Sequence, residues 1–186
     1  MIFNQLPLKG AYLIEVEPFK DNRGFFTRTF CEKEFASQGL VQHYVQANHS
    51  GTQGKGVVRG MHFQYPPFTE TKLIKCIQGA IFDVIIDVRK GSPTFLQWYG
   101  AELSSENKKM MYVPTGFAHG FQSLSDYSEI TYMVSNFYSR ENEGGINYHD
   151  PMVKISWPLS ISLVSEKDKN LPFIDNSFKA VTINND

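Results

Sequence analysis

The sequence predicts an all-β fold, an antiparallel sandwich or barrel of jelly-roll type with a few short helices. The chain is rich in aromatic residues, with 15 Phe, 9 Tyr and 2 Trp, and it also has 14 Gly and 9 Pro. This mixture favours short strands joined by tight turns over a helix bundle. Short apolar or alternating runs recur about every ten residues, as in such sheets. We expect one domain over residues 1–186, with its core at about residues 10–172.

The first quarter of the chain predicts strands around one helix. Gly10–Val16 and Phe25–Phe30 are apolar and β-favouring, and turn-forming residues separate them. Glu32–Gln38 has the polar pattern of a short helix, which Gly39 is placed to end. Tyr44–Asn48 predicts the next strand.

From residue 50 onward, loops and strands alternate. Residues 50–56 and the segment after residue 138 predict loops, and residues from 165 onward predict a terminal turn, helical in part, and a tail. The predicted strands of this part are Gly56–Gln64, Lys72–Cys76, Ala80–Val88, Phe95–Leu103, Met110–Val113 and Glu129–Val134.

Charge and hydropathy exclude several classes of partner. Eighteen basic and 19 acidic residues leave a net charge of −1, which gives no electrostatic basis for binding nucleic acid or an anionic membrane. No apolar segment approaches the roughly 20 residues of a membrane span, and we expect no leader peptide. Cys31 and Cys76 lack metal-type spacing, as expected of reduced thiols. We therefore expect a cytoplasmic protein whose partner is a small molecule.

The predicted strand Gly56–Gln64 carries two polar groups that need an explanation. Arg59 and His62 lie among apolar residues, and desolvating a charged group is costly unless it is paired. Side chains alternate along a strand, so these two should point to opposite faces. Gly60 lies between them and is the natural place for a bulge that turns both toward one pocket.

A second motif indicates the type of jelly roll. Pro114-x-Gly116-x-x-His119 matches the second short motif of the cupin jelly roll. Metal-binding cupins carry His-x-His in their first motif, whereas the second position here is Gln64. Two imidazoles, an amide and the distant Glu70 form a poor ligand set for a transition metal. We expect no metal and a pocket that works by proton transfer; a metal-dependent cupin dioxygenase is the alternative.

Further fragments occur in a fixed order along the chain. They are Asp21-x-Arg23-Gly24-Phe25-Phe26, Gln46-x-Asn48-x-Ser50, Arg59-Gly60-Met61-His62-Phe63-Gln64, Lys72-Leu73, Asp83-Val84, Asp87-x-Arg89, Gly116-Phe117-Ala118-His119-Gly120-Phe121 and Ser165-Glu166-Lys167-Asp168. Together they resemble the dTDP-4-dehydrorhamnose 3,5-epimerase family of deoxysugar biosynthesis, over about residues 10–172.

The resemblance implies a homodimeric cupin enzyme that needs no cofactor and binds a nucleotide-diphosphate sugar. The sugar is a 4-keto-6-deoxyhexose, whose C3 and C5 hydrogens flank the C4 carbonyl and become acidic once the enolate oxygen is stabilised. Inversion of C3, C5 or both then needs a base on one ring face, a cation at the oxygen and an acid on the opposite face.

The resemblance also assigns those roles to residues of this chain. His62 corresponds to the base. An imidazole suits this role, since it exchanges protons near neutral pH. Asp168 corresponds to the carboxylate that orients it. Lys72 corresponds to the cation facing the enolate oxygen, and Tyr132 to the acid that protonates the opposite face.

Other positions correspond to substrate contacts. Arg23 and Arg59 match contacts to the diphosphate or sugar, for which the forked donors of arginine are suited. Tyr138 corresponds to an aromatic that stacks on the nucleotide base. The remaining predicted contacts are Arg28, Gln46, Asn48, His119, Glu143 and Lys167, with Asp83 as a supporting residue.

Two positions depart from the family pattern. Arg28 stands where the family frequently has a glutamate, which leaves the base open between dTDP and CDP sugars. Phe137 stands where a rhamnose-pathway member can carry a second tyrosine, which leaves a single-site 3- or 5-epimerase as an alternative. A 3,4-ketoisomerase ranks lower because Lys72, His62 and Asp168 match the epimerase set. A non-catalytic sugar-binding jelly roll would need no converging base, acid and cation.

Overall fold

Two sheets face each other in the structure, a computed structural model that describes residues 1–183. The first sheet contains, in spatial order, β1 (Ile2–Gln5), β2 (Tyr12–Glu15), β10 (Met110–Val113), β7 (Lys72–Gln78), β12 (Tyr127–Val134) and β5 (Gln46–Gln53). The second contains β13 (Glu143–Gly145), β6 (Val57–Gln64), β11 (Phe117–Ser123), β8 (Ala80–Asp87) and β9 (Trp98–Ser104).

Smaller elements complete the fold. β14 (Leu163–Val164) runs parallel to β6, whereas the other sheet pairs are antiparallel. β3 (Phe19–Asp21) and β4 (Gly24–Phe26) form a separate hairpin. The helices α1 (Glu32–Ser37) and α2 (Glu166–Lys169) are short. The predicted all-β antiparallel jelly roll is confirmed.

Apolar side chains fill the space between the sheets and cover their outer faces. Ile74 and Met111 of the first sheet meet Ile85 and Phe121 of the second. On the outer face of the first sheet, α1 buries Phe35 completely. Burial of such side chains contributes about 1.5–3 kcal/mol each. One end of the inter-sheet space is lined by polar groups instead, and this end forms the cavity described below.

Pairing with distant strands overrode the local pattern at several boundaries. β5 runs through the predicted loop as far as Gln53, because its whole length pairs with β12. The predicted loop after residue 138 contains β13, which forms by pairing with β6. The strand predicted at Phe25–Phe30 ends at Phe26, where its pairing with β3 ends. β3 itself lies where a turn was expected, and β1 was not predicted.

Other boundaries were nearly right. The predicted helix at Glu32–Gln38 is present as α1, and Gly39 follows its last turn with φ of 67°. β9 begins at Trp98 rather than Phe95, because Leu96 adopts a φ of 63° that a strand does not tolerate.

Within the part of the chain that the structure describes, no helix is long and apolar enough to cross a membrane.

β6 carries a β-bulge opposite Gly120 of β11. Two residues, Gly60 and Met61, oppose Gly120 alone, because the register between the two strands shifts there by one residue. The extra residue resets the alternation of side chains, so Arg59 and His62 point to the same face of the sheet. The predicted bulge is confirmed.

Gly60→Ala is expected to destabilise the fold strongly. Gly60 has φ of 111°, and a Cβ would lie 2.7 Å from Gly120 Cα and 2.8 Å from His119 O. We expect a loss of about 3 kcal/mol or more in the free energy of unfolding, measured by urea denaturation. The control is Gly39→Ala, with φ of 67° and nothing within 4 Å, which should lose about 1 kcal/mol. Equal losses for the two variants would contradict the packing argument.

Candidate active site

Side chains from both sheets line one cavity between them. β6 contributes Arg59 and His62, and the facing sheet contributes Lys72 from β7 and Tyr132 from β12. The cavity has a volume of about 480 Å³. An adjoining cavity of about 410 Å³ shares His62, Lys72 and Tyr132 with it. The structure therefore brings an imidazole on one wall opposite an ammonium and a phenol on the other.

His62 is hydrogen-bonded to Asp168 of α2. Nε2 of His62 lies 2.6 Å from Oδ1 of Asp168, and Oδ2 accepts from the backbone N–H of Gly60 at 3.1 Å. Ser165 caps α2 by accepting from the N–H of Asp168, which fixes the position of the carboxylate. An ionised carboxylate only accepts, so His62 donates through Nε2 and keeps the Nδ1 lone pair free.

The surroundings of Asp168 favour its ionised form. Burial raises the pKa of this carboxyl group, but the hydrogen bond and charge of His62, with the N–H of Gly60 and the side chain of Ser165, outweigh burial. The net pKa of Asp168 therefore lies below its ordinary value. His62 consequently has an anionic partner at neutral pH.

Lys72 lies beside a carboxylate two residues earlier in the chain. Its Nζ is 3.1 Å from Oε1 of Glu70, and the two side chains are 12% and 11% exposed. The sequence suggested Glu70 only as a candidate metal ligand, whereas the structure pairs it with Lys72. The sequence did carry a signal for this pair in the two-residue spacing of Glu70 and Lys72, because residues two apart on an extended chain point to the same side.

Tyr132 lies on the same face as Lys72. It is opposite Ile74 in the register of β12 and β7, which makes it a diagonal neighbour of Lys72. Burial raises the pKa of Tyr132, the negative charge of Glu70 raises it further, and Arg59 lowers it. The net pKa is raised, so the phenol keeps its proton near neutral pH.

A second histidine–carboxylate pair lies on the wall that carries His62. His119 is opposite His62 in the register of β11 and β6, and it lines the same cavity. Its Nε2 is 2.7 Å from Oδ1 of Asp83, which is fully buried. Among the residues that the structure describes, Oδ2 of Asp83 finds no hydrogen-bond partner. Asp83 therefore supports His119 from within the core.

Five further predicted contacts surround the cavities. Lys167 Nζ lies 2.6 Å from Oε1 of Glu143, and the Tyr138 hydroxyl lies 3.2 Å from Oε2 of the same carboxylate. The backbone N–H of Tyr138 donates to Oε1 of Gln46, and Asn48 lines the adjoining cavity beside it. Tyr138 remains 59% exposed, so its ring is available to stack on a planar ligand.

Two predicted contacts lie away from the cavities. Arg23, in the turn between β3 and β4, pairs with Asp21 at 2.6 Å, and its side chain is 86% exposed. Arg28 pairs with Glu34 at 3.4 Å. Neither arginine lines either cavity, so the structure does not bring them to His62 within one chain.

Gln64 stands at the position of a cupin metal ligand, but its side-chain amide is hydrogen-bonded to backbone groups. Its Nε2 donates to the carbonyls of Phe68 and Phe137 at 2.9 and 3.1 Å, and Oε1 accepts from the N–H of Ser139 at 2.6 Å. Gln64 thereby anchors the loop after β12. Within residues 1–183, no group of three or more His, Cys, Asp or Glu side chains is arranged to hold a metal ion.

Comparison with known sequences decides the family. The sequence model described as dTDP-4-dehydrorhamnose 3,5-epimerase matches residues 5–176. The chain belongs to this epimerase family. The resemblance to dTDP-4-dehydrorhamnose 3,5-epimerases, the cupin-like fold and the isomerase class predicted from the sequence are thereby confirmed.

Individual members of the dTDP-4-dehydrorhamnose 3,5-epimerase family match nearly the whole chain. The epimerase of that name from Shigella flexneri is 45% identical over 173 residues, covering 92% of this chain and 95% of its own. The structure of the Bacillus anthracis epimerase with TDP and PPi bound has a TM-score of 0.90 at 40% identity, covering 93% of this chain and 99% of its own. A 3'-monoepimerase from Streptomyces bikiniensis in complex with dTDP-quinovose has a TM-score of 0.85 at 32% identity, covering 90% and 85%.

Asp168→Asn is expected to destabilise the protein in a pH-dependent way. The pKa of Asp168 is lowered in the folded chain, so its ionised form stabilises the fold above the ordinary value of 3.8, and this contribution is lost as the pH falls through the folded pKa. At pH 7 we expect a loss of about 1.5–3 kcal/mol in the free energy of unfolding, since a hydrogen bond to a charge is removed.

Urea denaturation from pH 7 down to about pH 3 measures this loss, because the range includes 3.8, the ordinary pKa of an aspartate side chain. The difference between wild type and Asp168→Asn should shrink toward the acid end. Asp21→Asn, which removes an exposed carboxylate paired with Arg23, is the control and should change stability little. A difference that stays constant with pH would contradict the ionised state of Asp168.

Proposed function

We propose that this chain is a nucleotide-sugar epimerase that inverts C3 and C5 of a dTDP-linked 4-keto-6-deoxyhexose through an enolate. One observation carries the proposal: the hydrogen-bonded pair of His62 and Asp168 faces Lys72 and Tyr132 across a single cavity. The names of the family's members support the choice of substrate.

The first step is removal of a proton beside the carbonyl. Nδ1 of His62 takes the proton from C3 or C5, and the electron pair of the broken C–H bond moves into the C4 carbonyl to form the enolate. The ammonium of Lys72 stabilises the negative oxygen in a partly dry site. Asp168 holds the imidazole in the reactive tautomer and stabilises the imidazolium that forms.

The second step delivers a proton from the opposite wall. The hydroxyl of Tyr132 protonates the same carbon on the other ring face, which restores the carbonyl with inverted configuration. The tyrosinate then regains a proton from solvent, and the imidazolium of His62 loses one. Protons alone are exchanged and no electrons are transferred, so the proposal includes no cofactor.

Arg59 is the best-placed group for the diphosphate. Its guanidinium is anchored by hydrogen bonds from Nε to Thr52 Oγ1 and from Nη2 to the Gly51 carbonyl, both 3.0 Å. The remaining N–H groups are left to bind phosphate oxygens. In the proposed complex the sugar lies at His62 and Lys72, and the diphosphate lies at Arg59 in the same cavity.

A homodimer accounts for the two arginines outside the cavities. The β3–β4 hairpin exposes Phe19, Phe25 and Phe26 at 78%, 59% and 69%, which is unusual for aromatic side chains in an isolated monomer. We place this hairpin against a second copy of the chain, whose site it completes with Arg23. Arg28 follows the same hairpin in the chain.

The whole chain is taken as one domain, because the strands of both sheets are contributed by segments from residue 2 to residue 164. The cytoplasm is the proposed location. It rests on the unpaired state of both cysteines, Cys31 and Cys76.

A single-site epimerase is the second candidate function. Phe137, in the loop that follows β12, is 58% exposed and has no hydroxyl to assist a second protonation. The related 3'-monoepimerase supports keeping this candidate. Incubation with dTDP- and CDP-4-keto-6-deoxyglucose in deuterated water separates the candidates, because deuterium at both C3 and C5 indicates double epimerisation and deuterium at one carbon indicates a single-site enzyme. No incorporation with either nucleotide would exclude epimerase activity.

Two variants separate the base from the acid in the same exchange assay. His62→Asn should abolish deuterium incorporation at both carbons, with a loss of about 10³-fold or more in rate, because the base is gone. Tyr132→Phe should slow inversion by about 10²-fold or more while incorporation continues on the original face. Full-rate epimerisation by Tyr132→Phe would show that another group is the acid.

Mixing two inactive variants tests the proposed dimer. His62→Asn lacks the base, and Arg23→Ala lacks the contact supplied to the other copy, so each homodimer should be impaired. A mixed dimer contains one complete site, and refolding the two chains together should restore up to about a quarter of wild-type activity if assembly is random. Light scattering gives the oligomeric state. A monomer, or no recovery on mixing, would rule out a shared site.

A further inference from the structure

The charged neighbour of Lys72 belongs to the site rather than to the general surface. Glu70 lies in the connection between β6 and β7, and its carboxylate contacts the Lys72 ammonium at 3.1 Å with both side chains about nine-tenths buried. Glu70 also lines the cavity that contains Lys72 and Tyr132. Burying a carboxylate is costly unless an opposite charge or hydrogen bonds compensate it, and here the Lys72 ammonium does so.

We propose that Glu70 is a positioning residue that holds the Lys72 ammonium where the enolate oxygen forms and keeps Tyr132 in its acid form. The proposal rests on the enolate mechanism given above. Glu70 does not touch the reacting carbon. It acts only through its effects on Lys72 and Tyr132.

The need for positioning follows from the lysine itself. Its ammonium is carried on a flexible four-carbon chain with many rotamers, and it lacks the fixed geometry of a guanidinium. An oxyanion is stabilised only if the donor is already in place when the charge develops. Because Lys72 begins β7 and Glu70 precedes it by two residues, the carboxylate can hold the ammonium on the cavity side of the chain.

The same carboxylate acts on the phenol. The negative charge of Glu70 disfavours formation of the tyrosinate, which adds to the effect of burial and opposes that of Arg59. The charged and titratable groups that line the cavities around Tyr132 are Arg59, His62, Glu70, Lys72, His119 and Asp168. Lys167, Glu143 and Tyr138 also line them, and Glu143 binds the other two. Lys75 of β7 lines a further pocket beside Tyr132.

Two opposite consequences of the ion pair can be distinguished. If Glu70 merely cancelled part of the field of Lys72, its removal would strengthen enolate stabilisation and raise the rate. If Glu70 positions the ammonium, its removal allows the Lys72 side chain to adopt other rotamers. A displacement of the ammonium by about 1 Å already lowers the rate by up to 10²-fold. The sign of the change in kcat therefore decides between the two roles.

The test compares Glu70→Gln with Glu15→Gln. Glu15 forms an ion pair with Lys109 at the same distance, 3.1 Å, but on an exposed part of the first sheet. For Glu70→Gln we expect kcat on dTDP-4-keto-6-deoxyglucose to fall about 10- to 100-fold, with KM changed less than about threefold, because the lost interaction acts in the transition state. The alkaline limb of the kcat profile should move to lower pH. Glu15→Gln should match wild type in kcat, in KM and in the position of the alkaline limb.

Glu70→Asp provides the conservative variant. It keeps the negative charge but shortens the reach by one methylene, so kcat should fall less than in Glu70→Gln and the alkaline limb should stay near its wild-type position. This variant also carries the test if Glu70→Gln does not fold, as judged by circular dichroism. In that case, a wild-type kcat for Glu70→Asp would overturn the positioning role.

The outcomes separate this proposal from the proposed function. If wild-type protein neither exchanges nor epimerises the substrate, the proposed function fails. If wild type is active and Glu70→Gln equals or exceeds it in kcat, only the role of Glu70 fails. A fall in kcat with an unmoved alkaline limb would retain Lys72 positioning and remove the effect on Tyr132.

Discussion

The carboxylate of Asp168 connects the chemistry of the site to the geometry of the sheet. One oxygen binds the imidazole of His62, and the other accepts the N–H of Gly60, within the bulge that turns His62 and Arg59 to one face. The proposed base and the bulge that sets its direction are thus both held by a single buried carboxylate. Because α2 carries this anion on its capped first turn, a four-residue helix is enough to complete the site.

Groups with complementary proton chemistry are divided between the two sheets. The wall of β6 and β11 carries the two histidines, each with its own carboxylate, and the wall of β7 and β12 carries the ammonium and the phenol. Such a division suits inversion, since the proton must leave one face of the ring and return to the other. The packed apolar cluster between the sheets keeps the two walls at a fixed separation.

Local sequence was informative where a residue type meets a local requirement. The bulge was predictable because Arg59 and His62 have the wrong spacing for one face of a regular strand, and α1 because Gly39 ends a polar pattern. β13 and the full length of β5 were not predictable, since their partners lie far away in the sequence. The pairing of Glu70 with Lys72 was missed because Glu70 was considered only as a metal ligand. Most of the predicted site residues lie around the cavities, whereas Arg23 and Arg28 do not and pair instead with Asp21 and Glu34.

The two glycines that face each other across β6 and β11 also constrain how this sequence can change over time. A Cβ on Gly60 would meet Gly120, and a Cβ on Gly120 would lie 2.6 Å from the carbonyl oxygen of Arg59 and from the sulfur of Met61. Neither position can gain a side chain while the other keeps its backbone in place. A sequence that lost the bulge would also lose the common face of Arg59 and His62. The pair therefore restricts both positions to glycine for as long as β6 and β11 keep this pairing.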